Sequence, residues 1–417
     1  MKQKIVIFTV VTMILVAIVG CSKDELGVEV IVPQQEQMDS YRVSVDEALR
    51  SAETILRAGD RDTRSAARRV KSTELYVAKP ATRSNENTEV SFYLINYEDN
   101  AGYALVSTDE RTTPVYMYAE DGNITTEAFE EVPPLAIFME EAIANYEAEV
   151  ASYGADEPID IYFPPGVSGK IATIDGIECY LDIHTTQVSK GPFCSSTIWH
   201  QDFPYNIYCN NHFVGCGMIA MGQIMAYHKY PAAHGTSTYN WNNILSDTTF
   251  YYGYQVGVTD VARLLRDIGD AAGANYTDND PSTGITIDDA KQALNAFDYT
   301  CSSPTDFNQQ TAVLELNAHR PIYARGQIST TGHAWVIDGY DRYFHSYVYR
   351  YTTPPYNIYK TVSSEDLYFS HNTGNYGYYS HSGQFHPIGI YYALSTMGQF
   401  EEYPDRKRMI TNIQPNN

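Results

Sequence analysis

The stretch Phe213 to Pro231, FVGCGMIAMGQIMAYHKYP, decides how this chain folds. Met218, Met221, Met225 and Ala226 recur at helical spacing, and Pro231 supplies a stop because proline disfavours helix at the residue before it. The helix predicted over Met218 to Tyr230 is amphipathic and carries Cys216 at its N-terminal edge. A thiol reacts as thiolate, and the unpaired N–H groups of a helix's first turn favour that anion. Far downstream, Gly332-His333 opens the apolar run GHAWVIDGYD, read as a buried strand from His333 to Ile337 with a tight turn at Asp338-Gly339. A thiol and an imidazole so placed are the parts of a nucleophile and its base. Each alone has a plainer reading, since a free cysteine packs as a small hydrophobe and a lone histidine on a strand is usually structural. The context of the two together points to chemistry.

Working outward, the 417 residues are 43% hydrophobic, enough for two or three domains with cores of their own. A formal net charge of -23, with no long basic patch, argues against nucleic acid or an anionic membrane surface as a partner. Tyrosine, with 36 copies concentrated after Tyr205, suits strands and aromatic packing. Lys2 and Lys4 precede an uncharged run from Ile5 to Gly20 that is short for a membrane span and reads as an export signal. Ile18-Val19-Gly20-Cys21 resembles a bacterial lipobox. Residues 1–21 are therefore expected to be a lipoprotein signal peptide that leaves a lipid on Cys21 and anchors an exported chain at the outer membrane or cell surface. With Cys21 set aside, Cys179, Cys194, Cys209, Cys216 and Cys301 are an odd set for an oxidising compartment, so one thiol should stay free. Their spacing yields no pairing.

Ser44-Val45-Asp46-Glu47 is a capping box, and Ala48, Leu49, Ala52, Ile55 and Leu56 continue a helix to about Arg57. Runs at Glu74 to Ala78, Val90 to Tyr97 and Tyr103 to Ser107 read as strands, the last two joined by a hairpin turn at Glu98 to Gly102. Pro133-Pro134 starts a second helix with Leu135, Phe138, Met139, Ala142, Ile143, Tyr146 and Val150 on one face and Gly154 as its stop. A Pro/Gly-rich acidic stretch then marks a boundary. Beyond it come helices at Thr259 to Ala272 and Thr286 to Phe297, and short strands at Pro321 to Ala324, Tyr347 to Tyr351 and Ile388 to Ala393.

Several motifs in fixed order carry a resemblance. Trp199-x-Gln201-x-x-Pro204-Tyr205-Asn206 precedes Gly215-Cys216, then Ala220-Met221-x-Gln223-Ile224-Met225 and Tyr227-His228-Lys229-Tyr230-Pro231, and finally Gly332-His333-Ala334-Trp335-Val336-x-Asp338-Gly339-Tyr340-Asp341. Together they resemble the streptopain family of papain-like cysteine peptidases, and SVDEAL with the hairpin ending Tyr103 to Asp109 resembles that family's inhibitory propeptide. The resemblance implies an α+β architecture in which a papain-like catalytic domain, 191–417, follows a small α+β inhibitory propeptide, 22–160, and a linker, 161–190, that holds the activation cleavage. It implies an exported cysteine endopeptidase made as a zymogen, acting on protein or peptide through a thioester, with the propeptide as intramolecular inhibitor. Cys216 is then the nucleophile, His333 its base and later acid, Gln201 an oxyanion-hole donor and Asn372 the residue that orients His333. No cofactor and no metal is implied.

Two departures keep other readings open. The family follows its asparagine with Trp-Gly-Trp, whereas Asn372 is followed by Thr373-Gly374-Asn375-Tyr376-Gly377, so the ring that shields the histidine bond from water is absent unless Tyr376 or Tyr378 replaces it. Gly217 after the nucleophile is the second. A catalytically impaired homologue serving as a surface binding protein is the alternative from another class, and acyl transfer to an amine would use the same residues. Cys209-x-x-His212-x-x-x-Cys216, with His228 nearby, has zinc-like ligand spacing, although a metal-bound thiolate would be lost as nucleophile.

Overall fold

Ser44 and Glu47 close the capping box: the Ser44 N–H donates to Glu47 Oε2 at 3.1 Å, and the Glu47 N–H donates back to Ser44 Oγ at 3.3 Å. Helix α1 (Val45–Gly59) follows. The computed structural model describes residues 41–59, 68–78, 89–153, 170–246, 256–328, 331–374, 390–393 and 407–416. The signal peptide with Cys21, the helix stop at Gly154, the first part of the linker, and Tyr376 and Tyr378 lie outside the described residues.

Strands β1 (Val70–Val77), β2 (Ser91–Tyr97), β3 (Tyr103–Ser107) and β4 (Val115–Ala119) are antiparallel neighbours. The turn between β2 and β3 places Asp99 and Asn100 at φ 57 and 56, the left-handed region these residue types tolerate. Every residue of β2, β3 and β4 is buried because both faces of the sheet are covered. Alternation sends Tyr93, Ile95 and Tyr97 against Ala48, Ala52, Ile55 and Leu56 of α1. It sends Phe92 and Leu94 against Leu135, Phe138, Met139 and Tyr146 of α2 (Pro133–Ser152), which opens on proline at its first position.

The sheet does not stop there. It runs on through β5 (Lys170–Ile174), β6 (Ile177–Lys190), β7 (Thr305–Asp306), β8 (Ile322–Ile328), β9 (Thr331–Tyr351), β10 (Ile358–Asn372), β11 (Ile390–Ala393) and β12 (Lys407–Ile410). The order is β1-β2-β3-β4-β11-β10-β9-β8-β12-β7, with β6 also on β9 and β5 on β6, making twelve strands. One apolar layer passes from Phe92 and Leu105 under α2 to Ala324, Trp335, Ile337 and Phe369, so the two halves of the chain share a core.

Two expectations are corrected. The linker expected over 161–190 is, from Lys170 onward, the β5–β6 hairpin, and β6 pairs with β9 from Cys179–Tyr351 to Lys190–Tyr340. The turn expected at Asp338-Gly339 is instead a bulge within the long strand β9, which thereby joins the runs His333 to Ile337 and Tyr347 to Tyr351. The cause is the buried Asp338: its Oδ2 accepts the Cys194 N–H at 2.8 Å and its Oδ1 accepts the Ser370 hydroxyl at 2.9 Å, just where β6 takes over from β8 as neighbour. Burial raises this carboxyl to about 6.

The remaining layer is helical. Helix α3 (Cys216–His228) lies between β9 and the helices α4 (Val256–Ala271) and α5 (Ile287–Ala296). Gly217 to Ala226 are all buried, so α3 is enclosed on every side and not amphipathic as expected. Its Met218, Met221 and Met225 pack with Trp199, Leu264, Leu265, Ile268 and Leu294. Lys229, at φ 53, ends it in the left-handed conformation just ahead of Tyr230-Pro231.

Candidate active site

Helix α3 begins at Cys216, directly after Gly215, whose φ of 95 is one that side chains rarely adopt. A methyl group there would also meet the Met218 side chain at 2.3 Å, so glycine is what lets the chain turn into the helix. Gly217 has a cause of its own: a Cβ would lie 2.8 Å from Ile285 and 3.0 Å from the Tyr323 hydroxyl.

Cys216 Sγ accepts the Ala334 N–H at 3.3 Å, which sets the sulfur beside His333, the residue before Ala334 on β9, whose imidazole acts on the thiol. Burial pushes the thiol up. The His333 imidazole, the Ala334 N–H and the Arg325 guanidinium outweigh that and hold Cys216 below the usual thiol range. His333 is buried, and its Nε2 lies 2.8 Å from the Thr373 carbonyl oxygen. A carbonyl only accepts, so Nε2 carries the proton and Nδ1 is left for the sulfur. Beside it the Trp335 ring lies nearly parallel, 11° from the imidazole plane with centroids 6.2 Å apart. Trp335 in turn donates its indole N–H to His371 Nδ1 at 2.8 Å, and burial holds His371 down to about 3.

Asn372 does not take the position expected for it. Its Oδ1 accepts Gln223 Nε2 at 2.8 Å and the Gly374 N–H at 3.3 Å, while its Nδ2 donates to the carbonyls of Cys194 at 3.0 Å and Thr197 at 3.1 Å. The side chain is thus spent joining α3, β10 and the 194–197 turn, and the backbone of the next residue meets His333. Gln201 is brought to the run-up to Cys216, where its carbonyl accepts the Val214 N–H at 2.8 Å.

The zinc-like set is not assembled. His228 ends α3, about 18 Å of helix away from Cys216, and His212 faces Asp278 at 3.3 Å. Among the described residues no cluster of histidine, cysteine or acidic side chains is arranged to hold a metal ion.

Sequence reasoning missed Thr373 and Trp335. The carbonyl of Thr373 has no residue-type signature. Trp335 did have one, because the alternation of a strand places it on the same face as His333. That face is also where α2 lies: Ile137, Phe138 and Glu141 line a small cavity with Trp335, His371 and Thr373.

Residues 199–379 match the Peptidase C10 family and residues 40–145 match the Spi protease inhibitor family. Streptopain of Streptococcus pyogenes is 25% identical over 288 residues, which are 60% of this chain and 68% of that protein. The thiol protease/hemagglutinin PrtT of Porphyromonas gingivalis is 24% identical over 299 residues, 62% of this chain and 32% of that protein. Among solved structures, a fragment of Prevotella intermedia prointerpain A is 17% identical with a TM-score of 0.48, covering 81% of this chain and 98% of that one.

The class these findings define is a cysteine peptidase that carries its own inhibitor-type propeptide. Within that class, the peptidase part matches the Peptidase C10 family over residues 199–379, with a stretch that matches the Spi inhibitor family ahead of it.

Proposed function

We propose that this chain is an exported endopeptidase made as a zymogen, in which Cys216 attacks a peptide carbonyl and His333 moves the proton. The observation that carries the reading is the seating of Cys216, at the start of α3, on the Ala334 N–H next to His333, with the imidazole helping to hold the thiol below its usual range. His333 Nδ1 takes the thiol proton, and the sulfur adds to the carbonyl carbon. Negative charge then develops on the carbonyl oxygen, where the Cys216 N–H and the Gln201 amide act as donors, each worth about 3 kcal/mol in the transition state. The imidazolium returns its proton to the leaving amine. Water hydrolyses the thioester with His333 again as base.

Thr373 and Trp335 support this reading over a binding-only homologue. The imidazole has an acceptor for its Nε2 proton and an aromatic wall without the two tryptophans the family places after Asn372. Latency follows from α2, which covers the face beside His333 until the propeptide is cut away. Export and lipid attachment at Cys21 rest on the sequence of the first 21 residues. The test is hydrolysis of a mixed peptide library by the processed protein. Cleavage lost in both Cys216→Ala and His333→Ala supports the assignment, and cleavage retained in either contradicts it.

A further inference from the structure

Lys407, Gly326 and His333 form one row across three neighbouring strands, because Gly326 of β8 faces Lys407 on β12 and His333 on β9. Directly opposed residues of antiparallel strands project to the same face, and strands about 4.8 Å apart set the lysine and histidine backbones about 10 Å from each other. Gly326 contributes no side chain, which leaves a lane open between the two. Helix α2 closes over this lane, and its Glu141 carboxylate pairs with Lys407 Nζ. Both side chains are largely shielded, the lysine 13% and the glutamate 17% exposed. The chain carries 28 basic residues against 51 acidic ones, so a lysine screened from water in the row of the candidate base is an unusual placement. Arg325, next to Gly326, adds a second positive charge that acts on Cys216.

Glu141 thus brings a carboxylate into the lane beside His333, as a substrate side chain would. We propose that Lys407 is a specificity-determining residue: once α2 has left, it takes an acidic side chain of the peptide substrate in place of Glu141. The inference rests on the peptidase reading above. His333 protonates the leaving amine, so the lane on its side receives residues C-terminal to the scissile bond.

The test uses the full chain after processing, by itself or by a trace of a second protease, and peptides of one sequence with Glu, Gln or Lys at each of the first three positions after the scissile bond. Glu at one of them is expected to raise kcat/KM at least about tenfold over Gln, the scale of a charge-assisted hydrogen bond, and Lys to lower it. Lys407→Glu alone would set two carboxylates together in the zymogen and endanger folding. The exchanged chain Glu141→Lys/Lys407→Glu keeps the pair, and its processed form is expected to prefer Lys over Glu. Cleavage with no charge preference, or an exchanged enzyme that still prefers Glu, overturns the role of Lys407 and leaves the peptidase reading standing. Failure of the processed wild type to cut any peptide overturns both.

Discussion

Gln223 Nε2 donates to Asn372 Oδ1 at 2.8 Å, and this bond ties the helix that starts at Cys216 to the strand beside His333. The two halves of the candidate site come from segments more than a hundred residues apart, and a buried amide pair sets their spacing. Asn372 is therefore a positioning residue that acts through the scaffold, whereas the Thr373 carbonyl holds the imidazole itself.

Asn372→Ala tests that division. It removes four hydrogen bonds from a buried network, although Gln223 Nε2 keeps the Thr197 carbonyl and the Cys194 carbonyl keeps Thr197, so a stability loss of about 2–4 kcal/mol is expected in chemical unfolding. Peptide hydrolysis should fall, with the pH dependence of kcat/KM unchanged because the His333–Thr373 bond persists. A shifted pH profile would instead put Asn372 on the histidine.

Phe138→Ala in α2 removes a ring buried in the core that the propeptide part shares with Trp335 and Ile337. The expected cost is about 3–4 kcal/mol. Since α2 is the element that covers the site, the full chain should process sooner and show higher basal hydrolysis than wild type. Equal latency of the two would contradict the covering role.

Tyr118→Phe probes the second junction between the two parts. The Tyr118 hydroxyl donates to the buried Asp341 Oδ2 at 2.7 Å, with the Tyr343 hydroxyl 3.3 Å away. Removing this donor from a buried carboxylate should cost about 2–3 kcal/mol of zymogen stability, seen as a lowered denaturant midpoint. An unchanged midpoint would show the bond to be dispensable.

The buried histidines predict acid sensitivity. His371 and His200 are held by burial to about 3 and about 4, below the value near 6.5 they regain on unfolding. Their folded pKa values are depressed, so the unfolded state takes up protons first. The stability from keeping them neutral is complete above about pH 6.5 and falls away toward pH 4. Thermal midpoints measured from pH 7 to pH 4 should drop, and His371→Gln should flatten that drop. A variant that follows the wild-type curve would exclude His371 as a source.

The sequence was most readable where period and punctuation agree. The capping box at Ser44-Glu47, the Tyr- and Leu-rich run from Val90 to Tyr97 and the proline pair at 133–134 placed their elements within a residue or two. It was least readable where long-range pairing decided the outcome. Asp338-Gly339 has the composition of a turn, yet the buried carboxylate and the arrival of β6 hold it in a strand. Ile177, Cys179, Leu181 and Ile183 do alternate with Glu178, Tyr180, Asp182 and His184, but from Thr185 to Lys190 the strand is mostly polar and half-exposed, so its full length shows only when β9 supplies the partner. Cys216 and His333 were legible through motif order. The roles of Thr373 and Lys407 were not, the first being a backbone atom and the second depending on register across three strands.

The most direct measurement of the central claim is the rate at which Cys216 is alkylated as a function of pH, followed by mass spectrometry in the full chain and after its processing, for wild type and His333→Ala. The account predicts a thiolate that persists below the usual thiol range in the wild type and a midpoint shifted upward when the imidazole is removed. Identical midpoints in the two proteins would contradict it, because His333 would then not be the group that activates the sulfur.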